Sequence, residues 1–244
     1  KLSIAIKVFL VYLFFVFLKS NALKNLFLDF CAIGVLCPFS KMEVFMNLEQ
    51  IESILQIKFP KKWWEIHSKG IMEWMELSIN EFREKREEYI FNPNSFLMLE
   101  CDCEALFFDD IPERLDILKE WISWREEDEN LVFDDDKKLI PFAQTGGGDL
   151  YCFLYENSAD EPKIVLYFHD VYDDPQLEAN SFDEFLYVIL LSSASWEGVI
   201  DDEHWRAHYQ LLNEEYKQKI DNRSVEDLAE EYENKECVNV NIWK

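Results

Sequence analysis

The sequence predicts an α+β (mixed α/β) fold, in which a small, mainly antiparallel sheet is flanked by helices and followed by a helical C-terminal extension. Two apolar runs, at residues 139–143 and 151–153, are separated by a triple glycine, and a third apolar run follows at residues 164–168. Glycines accept the positive φ of tight turns, so the first two runs are typical of a hairpin. Amphipathic helical patterns lie before and after these strands.

The first helical pattern begins at Asn47, which has a glutamine three residues later and therefore predicts a helix start. A break follows at Phe59-Pro60. Pro60 starts a second helix, and Gly70 is its expected C-terminal stop. Residues 73–89 alternate between apolar and charged residues at helical spacing, which indicates a solvated helical insertion.

Short strands are expected at residues 96–99 and 105–108, and Pro112 opens an amphipathic helix. The short apolar trio at residues 131–133 is flanked by acidic runs and lies just before the hairpin.

The hairpin carries several positional signals. Pro141 lacks an amide donor, which places it at a strand start or a sheet edge. The glycine triplet lacks the Gly-Lys-Ser/Thr ending of a phosphate-binding loop, so we expect a structural turn. If that turn needs a positive φ at Gly147, a valine there costs about 1–3 kcal/mol of stability.

Helical signals return after the third strand, whose uninterrupted apolar run indicates burial on both faces. Ser181 with Glu184 is a capping box that starts an apolar helix. Residues 205–216 have the spacing of one further helix, and Ser224 caps another that ends near residue 234. Residues 237–243 alternate apolar and polar, which favours an edge strand.

We expect three parts in the chain: an apolar N-terminal extension (1–45), the sheet-containing domain (46–200) and a helical C-terminal extension of that domain (201–244). Residues 2–18 lie at the short limit for a membrane-spanning helix, and lysines on both sides leave the orientation open. The first methionines are Met42 and Met46. The extension is therefore either a membrane anchor or an upstream segment that the working protein lacks, and we favour the second.

Charge is the second strong signal. The 244-residue chain has 24 basic and 49 acidic residues, a net of −25. Residues 1–46 hold five lysines and two acids, which leaves 19 basic and 47 acidic residues, a net of −28, in the remainder. Such a surface repels phosphates, so nucleic acid is not an expected partner, whereas a basic protein is.

Six scattered cysteines lack the density of a disulfide framework, and a reducing cytoplasmic location fits them. If residues 2–18 are a genuine anchor, the alternative location is the inner membrane. Cys101 and Cys103 have no second pair at zinc-ligand spacing, so we expect no metal and no cofactor.

No nucleophile, base and orienting group stand at recognisable spacing, so we expect no catalysis. His204 and His208 are expected to be exposed on a polar helix. The enzyme that stays open is a hydrolase that uses His169, Cys152 and nearby acids.

The order and spacing of Phe59-Pro60 and of residues 139–186 resemble the SUKH superfamily, which includes bacterial immunity proteins and fungal cell-wall assembly regulators. The resemblance implies a SUKH-like fold and a binding protein rather than an enzyme. The most specific function that the resemblance implies is that of an immunity protein, which neutralises a cognate polymorphic toxin that is basic and of the nuclease type. The alternative function is that of a regulatory scaffold. The motif residues are Phe59, Pro60, Pro141, Phe142, Gly146, Gly147, Gly148, Asp149, Ser181, Phe182, Phe185 and Leu186.

A surface for such a partner is expected where acids gather at one end of the sheet, since carboxylates steer a basic protein and an exposed aromatic anchors it. The candidate partner-binding residues are Asp134, Asp135, Asp136, Asp149, Asp170, Tyr172, Asp173 and Asp174.

Overall fold

The computed structural model describes residues 46–90, 92, 103–156, 161–171, 173–197 and 203–244. Residues 1–45, the expected strand at 96–99 and the candidate anchor Tyr172 lie outside these ranges. Among the helices that are described, none has the length and apolarity that crossing a membrane requires.

Within the described ranges the chain forms eight α-helices, one 3₁₀ helix and five strands. The helices are α1 (Leu48–Leu55), α2 (Lys61–Ser68), α3 (Ile79–Ile90), α4 (Ile111–Glu129), α5 (Phe182–Glu197), α6 (Glu203–Leu211), α7 (Glu214–Ile220) and α8 (Val225–Glu233), and the 3₁₀ helix is Glu73–Glu76. The strands are β1 (Glu104–Ala105), β2 (Lys137–Gln144), β3 (Leu150–Glu156), β4 (Lys163–Tyr167) and β5 (Gln176–Ala179).

The strands form one antiparallel sheet in the order β1-β2-β3-β4-β5, so each strand pairs with its neighbour in sequence. In the β2–β3 hairpin, Lys137 pairs with Glu156 and Gln144 pairs with Leu150. The predicted α+β fold class and the hairpin are confirmed. The sequence did not indicate β5, because this four-residue strand has one buried residue, Ala179, and no apolar run.

Both faces of the sheet are covered. Alternate residues such as Phe153 and Ile164 belong to the core shared with α1, α2 and α5. The other face, with Leu154 and Val165, packs against α4 and the C-terminal residues. Ile164 and Val165 are adjacent in sequence and both fully buried, which confirms that β4 is covered on both sides.

The motif residues from distant parts of the sequence meet in one aromatic core. Phe142 and Phe153 stack with their ring centroids 4.2 Å apart, and Trp63 packs edge-on against both, at 5.7 and 5.4 Å. Aromatic pairs in these geometries add to the stabilisation from burial alone. The other motif residues of this core are Phe59, Phe182, Phe185 and Leu186.

Glu52 holds the turn between α1 and α2 from inside the protein. It is 2% exposed, and its Oε1 accepts hydrogen bonds from the Phe59 backbone N–H at 2.8 Å and from the Trp64 indole at 2.7 Å. Its Oε2 pairs with Lys58 at 2.5 Å. A buried carboxylate is tolerated when its oxygens are satisfied in this way. The result is a fixed path for the chain through Phe59 and Pro60 into the aromatic core.

The helix-end signals are largely confirmed. Asn47 and Ser224 each form a capping box, and Gly70, with φ of +74°, follows the end of α2. At α5 the Ser181 hydroxyl accepts from the Glu184 N–H, as expected. The Glu184 carboxylate, however, accepts from the backbone and side chain of Asn180, so the reciprocal half of the box is displaced by one residue.

Of the two positions expected for Pro141, a strand start or a sheet edge, the strand start is wrong. Pro141 lies inside β2, paired with Cys152, rather than at a strand start. A β-bulge falls between Pro141 and Ala143, and β1 is so short that it pairs only with Ala143 and Gln144. A locally irregular ladder accommodates a residue that has no N–H to donate.

The positive φ of the hairpin turn belongs to Gly148, whose φ is +102°, and not to Gly147. A Cβ on Gly147 would make ordinary van der Waals contacts with Thr145 and Asp149. The expectation that valine at position 147 meets a positive φ is therefore wrong.

Two helical segments also differ from expectation. Residues 205–216 form parts of α6 and α7 rather than one helix, because the Asn213 side chain accepts from Tyr216 N–H and starts a new helix. The segment at 73–89 is not wholly solvated, since Trp74, Met75 and Phe82 are buried in the core.

The last residues of the chain form isolated bridges instead of a continuous edge strand. Asn239 bridges to Gln176, and Trp243 bridges to Phe133. Ile242 and Trp243 thereby cover part of the second face of the sheet.

Candidate functional site

The first group of candidate residues, Asp134, Asp135 and Asp136, forms the turn that leads into β2. The Asp135 side chain is 86% exposed, and Asp134 is half-buried. Lys244 pairs with Asp135 at 2.6 Å, and Lys137 lies 3.8 Å from Asp134. The hydrogen bond to Asp135 raises the pKa of Lys244. Two of these three carboxylates therefore have a cationic neighbour from the protein itself.

Asp173 and Asp174 lie in the loop between β4 and β5, where Arg125 of α4 holds them. Arg125 donates to the Asp173 carbonyl oxygen at 2.6 Å, and its guanidinium lies 3.6 Å from the Asp174 carboxylate. The Trp243 indole N–H donates to the same carboxylate at 2.7 Å. Asp174 thus joins α4 to the C-terminal residues, which is a structural role.

Asp149, His169 and Asp170 lie together beside the β2–β3 turn. The Asp149 Oδ1 is 2.7 Å from His169 Nδ1 and accepts from the His169 backbone N–H at 3.1 Å. The Thr145 hydroxyl donates to the other Asp149 oxygen at 3.4 Å. The potential ligand atoms of the three residues lie within 4.8 Å of one another. The hydrogen bonds already account for the arrangement as a support for the hairpin.

The candidate acids divide between the two ends of the sheet, which corrects part of the expected cluster. Asp149, Asp170, Asp173 and Asp174 border the end where β3 starts, β4 ends and β5 starts. Asp134, Asp135 and Asp136 precede the first residue of β2, whereas Asp149 follows its last. An eight-residue strand separates these ends by roughly 25 Å at 3.3 Å per residue. Asp170 belongs with Asp149, since both border the hairpin turn.

Of the two residues named for a hydrolase, Cys152 is buried inside the sheet and His169 is exposed. Cys152 has no exposed surface, and burial raises the pKa of its thiol. Its thiolate is therefore not available to the hydrolase that the sequence left open.

The expectation of two exposed histidines on α6 is wrong. His208 is 1% exposed, and burial lowers the pKa of its imidazole to about 3. His204 is half-buried. The polar pattern of the helix concealed that His208 falls on the same face as the buried Trp205 and Leu211.

The structure exposes one aromatic residue that the sequence pattern did not single out. Trp124 of α4 is 50% exposed. Its neighbour one turn earlier, Trp121, is half-buried against Tyr167 and His169. Only the packing of α4 on the sheet decides which of these two rings reaches solvent.

Comparison with known protein families gave a match over residues 46–186, to the SUKH family model described as SMI1-KNR4 cell-wall. This range includes α1 to the start of α5 and the whole sheet. Searches of curated proteins and of solved structures found no match.

Proposed function

The chain belongs to the SUKH family, and we propose that it acts as an immunity protein that binds a basic toxin domain and holds it inactive. The observation that carries this proposal is the charge: residues 47–244 hold 47 acidic against 19 basic side chains. Many of these acids are exposed on helices, such as Glu84, Glu87 and Glu88 of α3.

A surface of this kind favours a cationic partner for a physical reason. The summed field of the carboxylates attracts a basic protein before contact and raises the association rate. Salt screens that field within about 8–10 Å at physiological ionic strength, so the rate depends on salt. Once the complex has formed, buried anchors rather than distant charges set the dissociation rate.

A second candidate is a regulatory scaffold that binds other proteins of the same cell. The observation that favours it is the description of the matched family model, SMI1-KNR4 cell-wall. Both candidates are binding functions, and they differ in the partner. An immunity protein restores growth to cells that produce the toxin, whereas a scaffold does not.

The test is association kinetics with the toxin domain encoded beside this chain, measured by stopped flow. We expect association to slow about tenfold or more between low salt and several hundred millimolar salt, with little change in dissociation. Co-production should also rescue growth of cells that make the toxin. A salt-independent association rate, or no binding and no rescue, would contradict immunity.

A variant with fewer acidic side chains tests which part of the surface raises the association rate. Replacing Asp134, Asp135 and Asp136 together by Asn should reproduce part of the loss at low salt. The loss should be partial because Lys137 and Lys244 already offset two of these charges.

A further inference from the structure

The outer face of α4 combines an exposed aromatic side chain with several carboxylates that surround it. Trp124 is 50% exposed. On a helix its neighbours are the residues three and four positions away, and three of these four are the exposed acids Glu120, Glu127 and Asp128. The fourth is Trp121. We call Trp124 with these three acids the α4 patch.

The α4 patch sits on a rigid base. Trp121 stacks on Tyr167 of β4 with their ring centroids 6.2 Å apart, and it lies 5.8 Å from the His169 ring. On the next turn, buried Arg125 donates to the Asp173 carbonyl oxygen. The helix that presents Trp124 is therefore held by contacts to the sheet and to the β4–β5 loop before a partner binds, which lowers the entropy cost of binding.

We propose that the α4 patch is the docking site for an arginine-bearing surface of the basic protein partner, an inference that rests on the proposed function. Among aromatic side chains, Trp binds a cation on its face most strongly. The planar guanidinium of arginine can also stack parallel to the indole ring. Carboxylates around the ring accept the guanidinium N–H groups in paired, charge-assisted hydrogen bonds. A central aromatic anchor within a polar rim is the usual anatomy of a binding hot spot.

The negative charge of the α4 patch favours an arginine-bearing protein over nucleic acid, anionic lipid or an apolar partner. Its three acids repel phosphate, which disfavours nucleic acid and anionic lipid at this face. A purely apolar partner would remove those carboxylates from water and supply no positive charge of its own, which is unfavourable. An arginine side chain meets both parts of the patch at once.

The first experiment measures the affinity of the full chain for the neighbouring toxin domain by calorimetry. We expect Trp124→Ala to weaken binding about tenfold or more and Trp124→Phe to weaken it less. Ile54→Ala on α1 is the matched control, because Ile54 is 56% exposed and lies on a different helix. Equal binding by Trp124→Ala and the wild type would overturn the α4 patch and leave immunity standing.

Charge is tested with a pair of variants that change net charge equally. Glu120→Gln/Glu127→Gln/Asp128→Asn should weaken toxin binding more than Glu84→Gln/Glu87→Gln/Glu88→Gln on α3. Equal losses would mean that only the overall charge matters, and the local proposal would be wrong.

The second experiment works without the toxin. The chain, with its eight tryptophans replaced by 5-fluorotryptophan, is titrated with a nine-residue arginine peptide, and fluorine NMR follows each indole. The Trp124→Phe variant assigns its resonance. We expect the Trp124 signal to shift with arginine peptide and to shift less with a nine-residue lysine peptide. If toxin binding fails but this shift appears, immunity is wrong and arginine recognition by the patch stands; an unmoved Trp124 signal overturns the patch.

Discussion

At the scale of single residues, Glu52 shows how one buried charge orders a family motif. Its carboxylate accepts from the buried Phe59 backbone N–H and from the indole N–H of the half-buried Trp64. Removing the acceptor leaves the Phe59 N–H buried without a partner, which costs about 1–3 kcal/mol, and it also removes the hydrogen bond of the half-buried Trp64 indole. The Phe59-Pro60 turn therefore depends on a residue seven positions earlier.

We predict that Glu52→Ala destabilises the domain by about 2–4 kcal/mol, measured by urea denaturation at pH 7. Glu49→Ala is the control, because Glu49 is exposed on the same helix. A similar loss in both variants would show that helix charge, and not the buried acceptor, is responsible.

The hairpin turn gives a second test at this scale. Gly148→Ala should cost about 1–2 kcal/mol, because alanine is strained at positive φ. Gly147→Ala should change stability by less than about 0.5 kcal/mol, since its Cβ meets only ordinary contacts. Thermal melts of the two variants should therefore differ, and equal melting temperatures would refute the assignment of the turn.

His208 makes stability depend on pH. Its folded pKa, about 3, lies below the unfolded value of 6.5, so the unfolded chain binds more protons between these pH values. Stability is therefore fully present above pH 6.5 and is lost as the pH falls, by up to about 1.4 kcal/mol per pH unit. His208→Leu should flatten the difference in unfolding free energy between pH 7 and pH 5. An unchanged slope in this variant would assign the acid sensitivity to carboxylates.

At the scale of elements, the C-terminal residues cover a sheet face that α4 alone leaves open. Trp243 is 6% exposed, packs edge-on against Phe133, and lies under the Arg125 guanidinium at 4.9 Å. Its indole N–H also reaches Asp174. One side chain thus joins the β4–β5 loop, α4 and the segment before β2.

We predict that Trp243→Ala costs about 3–5 kcal/mol and that Trp243→Phe costs less, because phenylalanine keeps most of the packing and loses the hydrogen bond. Trp124→Ala, which removes a half-exposed ring, should stay within a few tenths of wild type. Unfolding of the three variants in denaturant measures these losses of unfolding free energy. A small loss for Trp243→Ala would mean that the C-terminal residues contribute little to stability.

At the scale of the whole molecule, the unit that contains the described residues is 45–244. Its core draws on α1, the sheet and the C-terminal helices, which include the buried residues Trp205, Ile220 and Leu228. We predict that a chain starting at Met46 folds without residues 1–45. It should remain in solution and melt cooperatively, as followed by circular dichroism; an aggregated or molten product would show that the N-terminal extension completes the core.

Much of the architecture could be predicted because its signals are local. Capping residues such as Asn47 and Ser224 accept hydrogen bonds from N–H groups in the first turn of their own helix. The pairing of two strands that a tight turn joins is specified by the few residues of that turn. The predictions that failed depended on neighbours distant in sequence. Pro141 lies within β2 because a bulge and a two-residue β1 tolerate a residue that has no N–H. His208 is buried because its helix packs on α5, where the Trp205 indole donates to the Leu190 carbonyl oxygen.

The sequence by itself determined the hairpin, most helix ends and the acid surplus, since these follow from residue type and short-range spacing. Only the tertiary structure decided which acidic side chains form ion pairs, which of them lie close together and which aromatic side chain is exposed. It pairs Asp135 with Lys244, separates the candidate acids along β2, and turns Trp124 rather than Trp121 to solvent. Burial and ion pairing are properties of side chains brought together across the chain, so no local pattern specifies them.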